Sequence, residues 1–134
     1  MKVRLRAMIS ATVALGWAPI VPAWIGHALA QQGGVAVQVG GETDSDACAT
    51  IGRTTGTAVV RTGPGDAYAE LARLPAGVML AMCQSDPSGR WEGVLEMRDG
   101  VDCGVGTPIV PRQAYRGPCN AGWIENRNIE VVAG

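Results

Sequence analysis

The chain has 134 residues, with 11 Lys and Arg against 12 Asp and Glu, one His and no Phe. Residues 31–134 contain no Lys and no His, and their eight Arg against twelve carboxylates give a net charge of −4. This acidic balance argues against nucleic-acid binding, which needs clustered positive charge, and against adhesion to an anionic membrane surface.

The first thirty residues have the three-part pattern of a secretory signal peptide. Three basic residues within the first six positions precede an apolar run over 8–25, and Ala28-Leu29-Ala30 is a small-x-small exit. The run is roughly long enough to span a bilayer as an uncleaved anchor. It is interrupted, however, by residues that break helices, namely Gly16, Pro19 and Pro22. We therefore predict a signal peptide over 1–30, cleavage after Ala30, no stable membrane anchor, and a periplasmic or extracellular location.

Residues 31–46 are rich in Gly and small residues and carry three acids, Glu42, Asp44 and Asp46. This composition is typical of a flexible leader between the cleavage site and a folded domain. Asp44-Ser45-Asp46 is a fragment of a calcium-binding loop, but the rest of such a loop is missing from the sequence. We therefore interpret the acids as residues of a solvated linker.

All four cysteines lie after residue 46, and an even count in a small exported domain is typical of disulfides. This part of the sequence has no Cys-x-x-Cys pair and no His, which argues against a zinc site. Four cysteines allow three pairings. We favour Cys103–Cys119, which closes a short segment rich in Gly and Pro, and this choice leaves Cys48–Cys83.

From residue 47 onward, short apolar runs alternate with turn residues, a pattern typical of β-strands. We predict six strands, over residues 47–53, 57–62, 78–84, 90–97, 122–125 and 128–132. In the fourth, Trp91, Gly93, Leu95 and Met97 share one face, opposite Glu92 and Glu96. Residues 68–74 are predicted to be locally helical, for a turn or two at most. Short strands at close spacing indicate an all-β domain, a small antiparallel barrel or sandwich.

Four sets of residues in this region follow one another in an order that is typical of a known family. They are Val60-Arg61-Thr62-Gly63-Pro64-Gly65, then Tyr68, Leu71 and Leu74-Pro75-Ala76-Gly77, then Gly89-Arg90-Trp91, and finally Gly122-Trp123-Ile124. The ordered set resembles the bacterial SH3-like (SH3b) domains over roughly residues 47–132. The resemblance implies a small SH3-like antiparallel barrel, placed here at 47–134, and ligands that are cell-wall peptides or proteins outside the cytoplasm.

Residues 98–121 depart from the family pattern. They intervene between the Trp91 strand and Gly122, and they include Cys103 and Cys119. An insertion of this length is usually functional or disordered, and a disulfide would hold its tip, residues 107–116, in a defined shape. The tip contains Arg112, Tyr115 and Arg116, and Tyr and Arg are favoured contact residues at interfaces, which favours a binding loop. The alternative is a variable surface loop that the disulfide only stabilises.

We predict that the chain is not an enzyme and holds no cofactor and no metal. Without His in residues 31–134, neither a Ser-His-Asp triad nor a Cys-His pair can form. Glu92 and Glu96 share a strand face but would lie about 13 Å apart, farther than the carboxyl pair of a glycosidase. Gly104-Val105-Gly106 lacks the lysine of a phosphate-binding loop.

The predicted function is that of a secreted, non-catalytic SH3-like binding module for a cell-wall peptide or an envelope protein, acting as a monomer. The expected contact surface is the groove between residues 62–75 and the insertion. Its candidate ligand-binding residues are Tyr68, Trp91, Tyr115 and Trp123, with Arg112 and Arg116 attracting a carboxylate. Each has a structural alternative, and tryptophans at these two positions are more often core residues than contacts.

Two further interpretations stay open at this point. The first is an inhibitor or accessory subunit of an exported enzyme, acting through the 103–119 loop. A rigid loop suits insertion into a cleft, because rigidity lowers the entropic cost of binding. The second is a purely structural envelope protein with no tight ligand.

Overall fold

The computed structural model describes residues 33–134 together with Gly16. Apart from Gly16, the predicted signal peptide lies outside the described residues, as do the first two residues of the predicted leader. Among the residues that are described, no helix has the length and apolar character needed to cross a membrane.

The described chain is all-β, with nine strands and one short 3-10 helix. In chain order the strands are β1 (Gln38–Val39), β2 (Thr50–Thr54), β3 (Ala58–Arg61), β4 (Glu70–Leu74), β5 (Met79–Ser85), β6 (Trp91–Glu96), β7 (Gln113–Ala114), β8 (Ala121–Glu125) and β9 (Ile129–Ala133). The 3-10 helix, Asn126–Asn128, joins β8 to β9.

Seven of the strands form one antiparallel sheet in the order β4-β3-β8-β6-β5-β2-β9. The two remaining strands, β1 and β7, pair antiparallel as a separate ribbon. The edge strands of the large sheet are β4 and β9, and they do not pair with each other in the described part of the chain. The predicted all-β class is therefore confirmed, and the sheet is not a closed barrel.

The sheet curves around an apolar interior. One buried cluster joins Ala58, Val60, Leu74, Leu80, Val94 and Ile124, with Val78, Met82 and Ile129 packed against it. Leu74 belongs to β4 and Leu80 to β5, and three other strands separate these two in the sheet order. A flat sheet could not bring them into one cluster, so the β4 end must fold back over the interior.

A second layer covers the outer face of the same sheet. Val39 packs with Leu95 and Val105 in one buried cluster, and Val37 packs with Trp91 and Trp123 in another. This layer consists of the segment before β2 and the insertion after β6. Strand β6 is consequently buried on both faces, although the alternation of its sequence had suggested one apolar and one polar side.

The structure differs from two of the sequence predictions. Residues 33–46 do not behave as a flexible leader, because Val37 and Val39 are buried and β1 pairs with β7. Residues 68–74 are not helical, because Glu70–Leu74 is strand β4, paired with β3 in a register that places Leu74 beside Ala58. All six predicted strands are present, with ends shifted by up to three residues.

Both predicted disulfides are confirmed. Cys48–Cys83 links the segment before β2 to β5, and Cys103–Cys119 closes the insertion on itself. Two disulfides in so small a domain suggest an oxidising environment, outside the cytoplasm. The insertion is also held by backbone hydrogen bonds from the amides of Ala47 and Cys48 to the carbonyls of Thr107 and Val105.

We expect Ser replacement of both cysteines at 48 and 83 to lower the free energy of unfolding by roughly 4 kcal/mol, because the bridge closes 35 residues of chain. The matched Ser pair at 103 and 119, where the separation is 16 residues, should lower it by roughly 3 kcal/mol. Urea unfolding followed by tryptophan fluorescence measures both values. A loss below about 1 kcal/mol in the first variant would contradict a stabilising role for that bridge.

Candidate functional site

An apolar cleft opens between the edge strand β4 and the adjoining ends of β6 and β8. Its volume is about 380 Å³. The floor is made of interior side chains, Val60, Leu74, Leu80 and Val94, and the walls are Leu71, Ala72, Glu96, Asn120, Ala121 and Gly122. The fold therefore leaves part of its apolar interior accessible beside β4.

A second cavity of about 300 Å³ continues the cleft, because the two share Leu71, Ala121 and Gly122. Its other walls are residues 33–37, Thr62 and Tyr115. The hydroxyl oxygen of Thr62 is buried here and has no hydrogen-bond partner among the described residues. We call the two cavities together the β4 groove.

Two residues at the middle of the β4 groove determine its shape. Leu71 is 56% exposed and its neighbours on β4 up to Arg73 are also exposed, so its side chain is accessible from the groove. Gly122 lies opposite, and a Cβ atom at this position would collide with the side chain of Val60 and approach the carbonyl oxygen of Arg61 at 3.1 Å. The absence of a side chain at Gly122 lets β3 pack closely against β8 beside the groove.

The charged group at the rim is Glu96. Its Oε2 accepts hydrogen bonds from Asn120 Nδ2 at 3.1 Å and from an Arg98 Nη2 at 3.2 Å. Partial burial acts to raise the pKa of Glu96, but these two hydrogen bonds and the charge of Arg98 outweigh it and lower the pKa below the ordinary value. An ionised carboxylate thus borders an otherwise apolar cleft at neutral pH.

Tyr115 connects the stapled insertion to the groove. Its hydroxyl donates to the carbonyl oxygen of Cys103 at 2.8 Å and accepts from the amide of Cys119 at 3.2 Å, so one side chain bonds both ends of the disulfide loop. Its backbone amide donates to the carbonyl oxygen of Val37 at 2.8 Å. The insertion and the segment before β1 are therefore fixed together as one wall of the groove.

The structure separates the other predicted aromatic residues from this surface. Trp123 is 1% exposed and its Nε1 donates to the carbonyl oxygen of Val35 at 2.7 Å, so it anchors a wall of the groove from beneath. Trp91 is 4% exposed and packs in the same cluster. Tyr68 is half-buried, with its ring lying against Gly63 and Gly65. Both tryptophans are core residues, and of the four aromatics Tyr115 lines the groove.

The two arginines predicted to attract a carboxylate lie elsewhere on the insertion. Arg112 Nη1 donates to the carbonyl oxygen of Gly40 at 3.2 Å, which ties the insertion to the segment after β1. Arg116 is exposed and does not line the groove. Arg61, in β3, donates from its Nη1 to the carbonyl oxygen of Tyr68 at 3.0 Å.

Several residues of the groove were not identified from the sequence. Glu96, Asn120 and Ala121 lie at the two ends of the insertion, and nothing in the local pattern distinguishes them from ordinary loop residues. Leu71 was identified only as part of the family pattern, within residues that were predicted to be locally helical. The alternation of Val35, Val37 and Val39 was a usable signal that residues 33–39 form an extended, half-buried segment.

Comparison with protein-family models, with curated proteins and with solved structures finds no match to this chain. Within residues 33–134, no group of three or more His, Cys, Asp or Glu side chains is placed to hold a metal ion. The interpretation of the site therefore depends on its own geometry and chemistry.

The lowered pKa of Glu96 predicts a specific pH dependence of stability. The folded chain binds a proton at Glu96 less readily than the unfolded chain, so this contribution is complete above the ordinary carboxyl pKa and is lost as pH falls through the lower, folded value. We expect Glu96→Gln to be less stable than the wild type at pH 6, with a smaller difference at pH 3. Urea unfolding midpoints at both pH values measure this, and an equal difference at the two values would contradict it.

Proposed function

We propose that the chain is an exported, non-catalytic binding module with an SH3-like barrel, and that its β4 groove binds an extended peptide. The expected ligand is a peptide of the bacterial cell wall, and an exposed segment of an envelope protein is the second choice. Export is supported by the N-terminal sequence pattern and by the two disulfides.

The observation that carries the proposal is the position of the apolar cleft directly beside a free sheet edge. β4 pairs with β3 on one side, and its other side has no strand partner within residues 33–134. An extended peptide can add to such an edge through backbone hydrogen bonds, while pockets beside the edge receive its side chains. A cleft of about 380 Å³ next to β4 is placed to receive an apolar side chain of that peptide.

Polar groups at one end of the groove complement a peptide backbone. The Glu96 carboxylate and the Asn120 amide lie there, beside the apolar floor. A few polar groups around an apolar floor is the usual composition of a ligand site, since the apolar part supplies affinity and the polar groups fix orientation.

The curvature of the sheet supports the SH3-like barrel. The interior cluster joins β4 to β5 across three intervening strands, as expected if the two ends of the sheet approach each other. The residues that resemble the SH3b family lie at the ends of strands or within them, with the Gly-Pro-Gly turn after β3, Trp91 at the start of β6 and Trp123 in β8. A barrel that is open at β4 would present its interior as a binding cleft.

The alternative of an exported enzyme's inhibitor or accessory subunit, acting through the 103–119 loop, has weaker support. The exposed side chain of Val110 at the loop tip favours it. Against it, the loop lies along residues 41–48 rather than projecting, since the carbonyls of Val105, Thr107 and Ile109 accept hydrogen bonds from Cys48, Ala47 and Gly41. A loop paired along its length offers little to insert into a cleft.

We predict that Leu71→Glu weakens ligand binding while the chain remains folded. The substitution places a charge at the apolar centre of the groove, and Leu71 is exposed enough for the change to cost little stability. Co-sedimentation of oxidised residues 31–134 with purified peptidoglycan sacculi should show saturable binding by the wild type. We expect at least about a 10-fold loss of affinity in Leu71→Glu, or roughly 1.4 kcal/mol.

Val131→Glu is the matched control, because Val131 is 58% exposed and lies on the opposite edge strand, β9. It should bind as the wild type does. A site at β4 would be contradicted if both substitutions weakened binding to sacculi equally. It would also be contradicted if Leu71→Glu bound sacculi with the affinity of the wild type. Absence of wild-type sedimentation above an inert-protein control would overturn the cell-wall ligand. Loss of binding in Val110→Glu alone would favour the 103–119 loop.

A further inference from the structure

A second pocket lies on the outer face of the sheet, away from the β4 groove. Its volume is about 260 Å³. The alternating residues Thr57, Val59 and Arg61 of the β3 region form one wall, and Arg127 and Asn128 of the 3-10 helix form the other. Trp91 of β6 and Glu125 of β8, which are register partners in the sheet, complete the lining of the pocket. We call this the arginine pocket.

Positive charge is concentrated here, although residues 31–134 carry a net negative charge. The pocket lining holds two arginines, Arg61 and Arg127, against one acid, Glu125, which leaves one net positive charge. Arg90 borders the adjoining cavity, which shares Glu125 and Arg127 with the pocket, and its partner Asp66 is 3.9 Å away. The local charge suits an anion with a single negative charge.

Most of the side-chain hydrogen-bond donors in the arginine pocket have no acceptor among residues 33–134. Arg61 uses Nη1 to reach the carbonyl oxygen of Tyr68, and no described residue accepts from its Nε or Nη2. Arg127 Nε forms an ion pair with Glu125 Oε2 at 2.6 Å, its side chain is 78% exposed, and no described residue accepts a hydrogen bond from its terminal nitrogens. The side chains of Thr57 and Asn128 also make no hydrogen bond in this part of the chain.

We infer that the arginine pocket binds a carboxylate, specifically the free C-terminal carboxylate of a peptide that ends in a small residue. A guanidinium presents its donors in a planar fork that matches the two oxygens of a carboxylate. The contact between Arg127 and Glu125 is a carboxylate–guanidinium pair already formed at the edge of the pocket. Val59 and Trp91 supply a short apolar wall, and the volume is enough for the end of a peptide chain.

This site is separate from the β4 groove and does not depend on the function proposed for it. The sequence pattern predicted that Arg112 and Arg116 attract a carboxylate. The arginines that lie beside Trp91 are instead Arg61 and Arg127, which are 66 positions apart in the sequence.

The test is an NMR titration of ¹⁵N-labelled residues 31–134 with N-acetyl-alanyl-alanine, which has a free carboxylate, and with its C-terminal amide. The free acid should produce saturable shifts at Arg61, Trp91 and Arg127, and the amide should not. Inorganic phosphate is titrated in parallel. Equal shifts with the amide, or tighter binding of phosphate than of the free acid, would overturn the assignment to a carboxylate.

Three charge variants locate the site. Arg127→Gln should weaken binding of the free acid by at least about 5-fold, because it removes a charged donor. Glu125→Gln should strengthen binding by at least about 2-fold, because it releases Arg127 and removes a competing negative charge. Arg73→Gln, an exposed arginine on β4, should leave binding unchanged.

The charge variants also separate this proposal from a general electrostatic effect. If Arg73→Gln weakens binding as much as Arg127→Gln does, the inference is wrong. It is also wrong if Glu125→Gln weakens binding. Leu71→Glu should bind the free acid as the wild type does, so that a failure of the β4 groove and a failure of the arginine pocket are distinguishable.

Discussion

Strand β6 is covered on both faces, and the rest of the molecule is arranged around that constraint. The side chain of Val94 packs into the sheet interior, while Trp91 and Leu95 pack into the outer layer. Between them Gly93 admits Val37 so closely that a Cβ atom there would lie 3.0 Å from Val37 Cγ1. A strand buried in this way needs a covering layer that is held in place. The chain supplies this layer from the segment before β2 and from the insertion between β6 and β8.

The same cover builds the candidate site. The bond from Trp123 to the carbonyl oxygen of Val35 ties the segment before β1 to strand β8, and Tyr115 ties the insertion to its own disulfide and to Val37. One wall of the β4 groove is therefore held by hydrogen bonds to β8 and to the disulfide loop, while Leu71, on the opposite wall, lies on an edge strand with a free side. A fixed wall facing a free sheet edge is well suited to receiving an extended chain.

The sequence predicted the parts of this fold that depend on local pattern. Alternating apolar residues and the Gly-Pro-Gly turn identified six strands, and cysteine spacing identified both disulfides. The residues of β4 favour a helix individually, since Glu, Leu, Ala and Arg are good helix formers, and pairing with β3 overrides that preference. Residues 33–39 were interpreted as linker because of their glycines, although their valines alternate as in a strand.

The binding surfaces were less predictable, because they are assembled by sheet curvature. Leu71 and Ala121 come together across the fold, and so do Arg61 and Arg127. No short sequence window contains either pair, so composition could suggest the kinds of contact residue but not which of them meet.

Both the two-layer fold and the β4 groove require residues 33–40 to be part of the folded domain, and hydrogen–deuterium exchange measures this. The amides of Val35 and Gln38 donate to Thr62 and to the Gln84 side chain, so peptides covering residues 33–40 should exchange slowly, at rates approaching those of the core strands. Complete exchange of these peptides within seconds, as for a free leader, would contradict the two-layer fold and remove the fixed wall of the β4 groove.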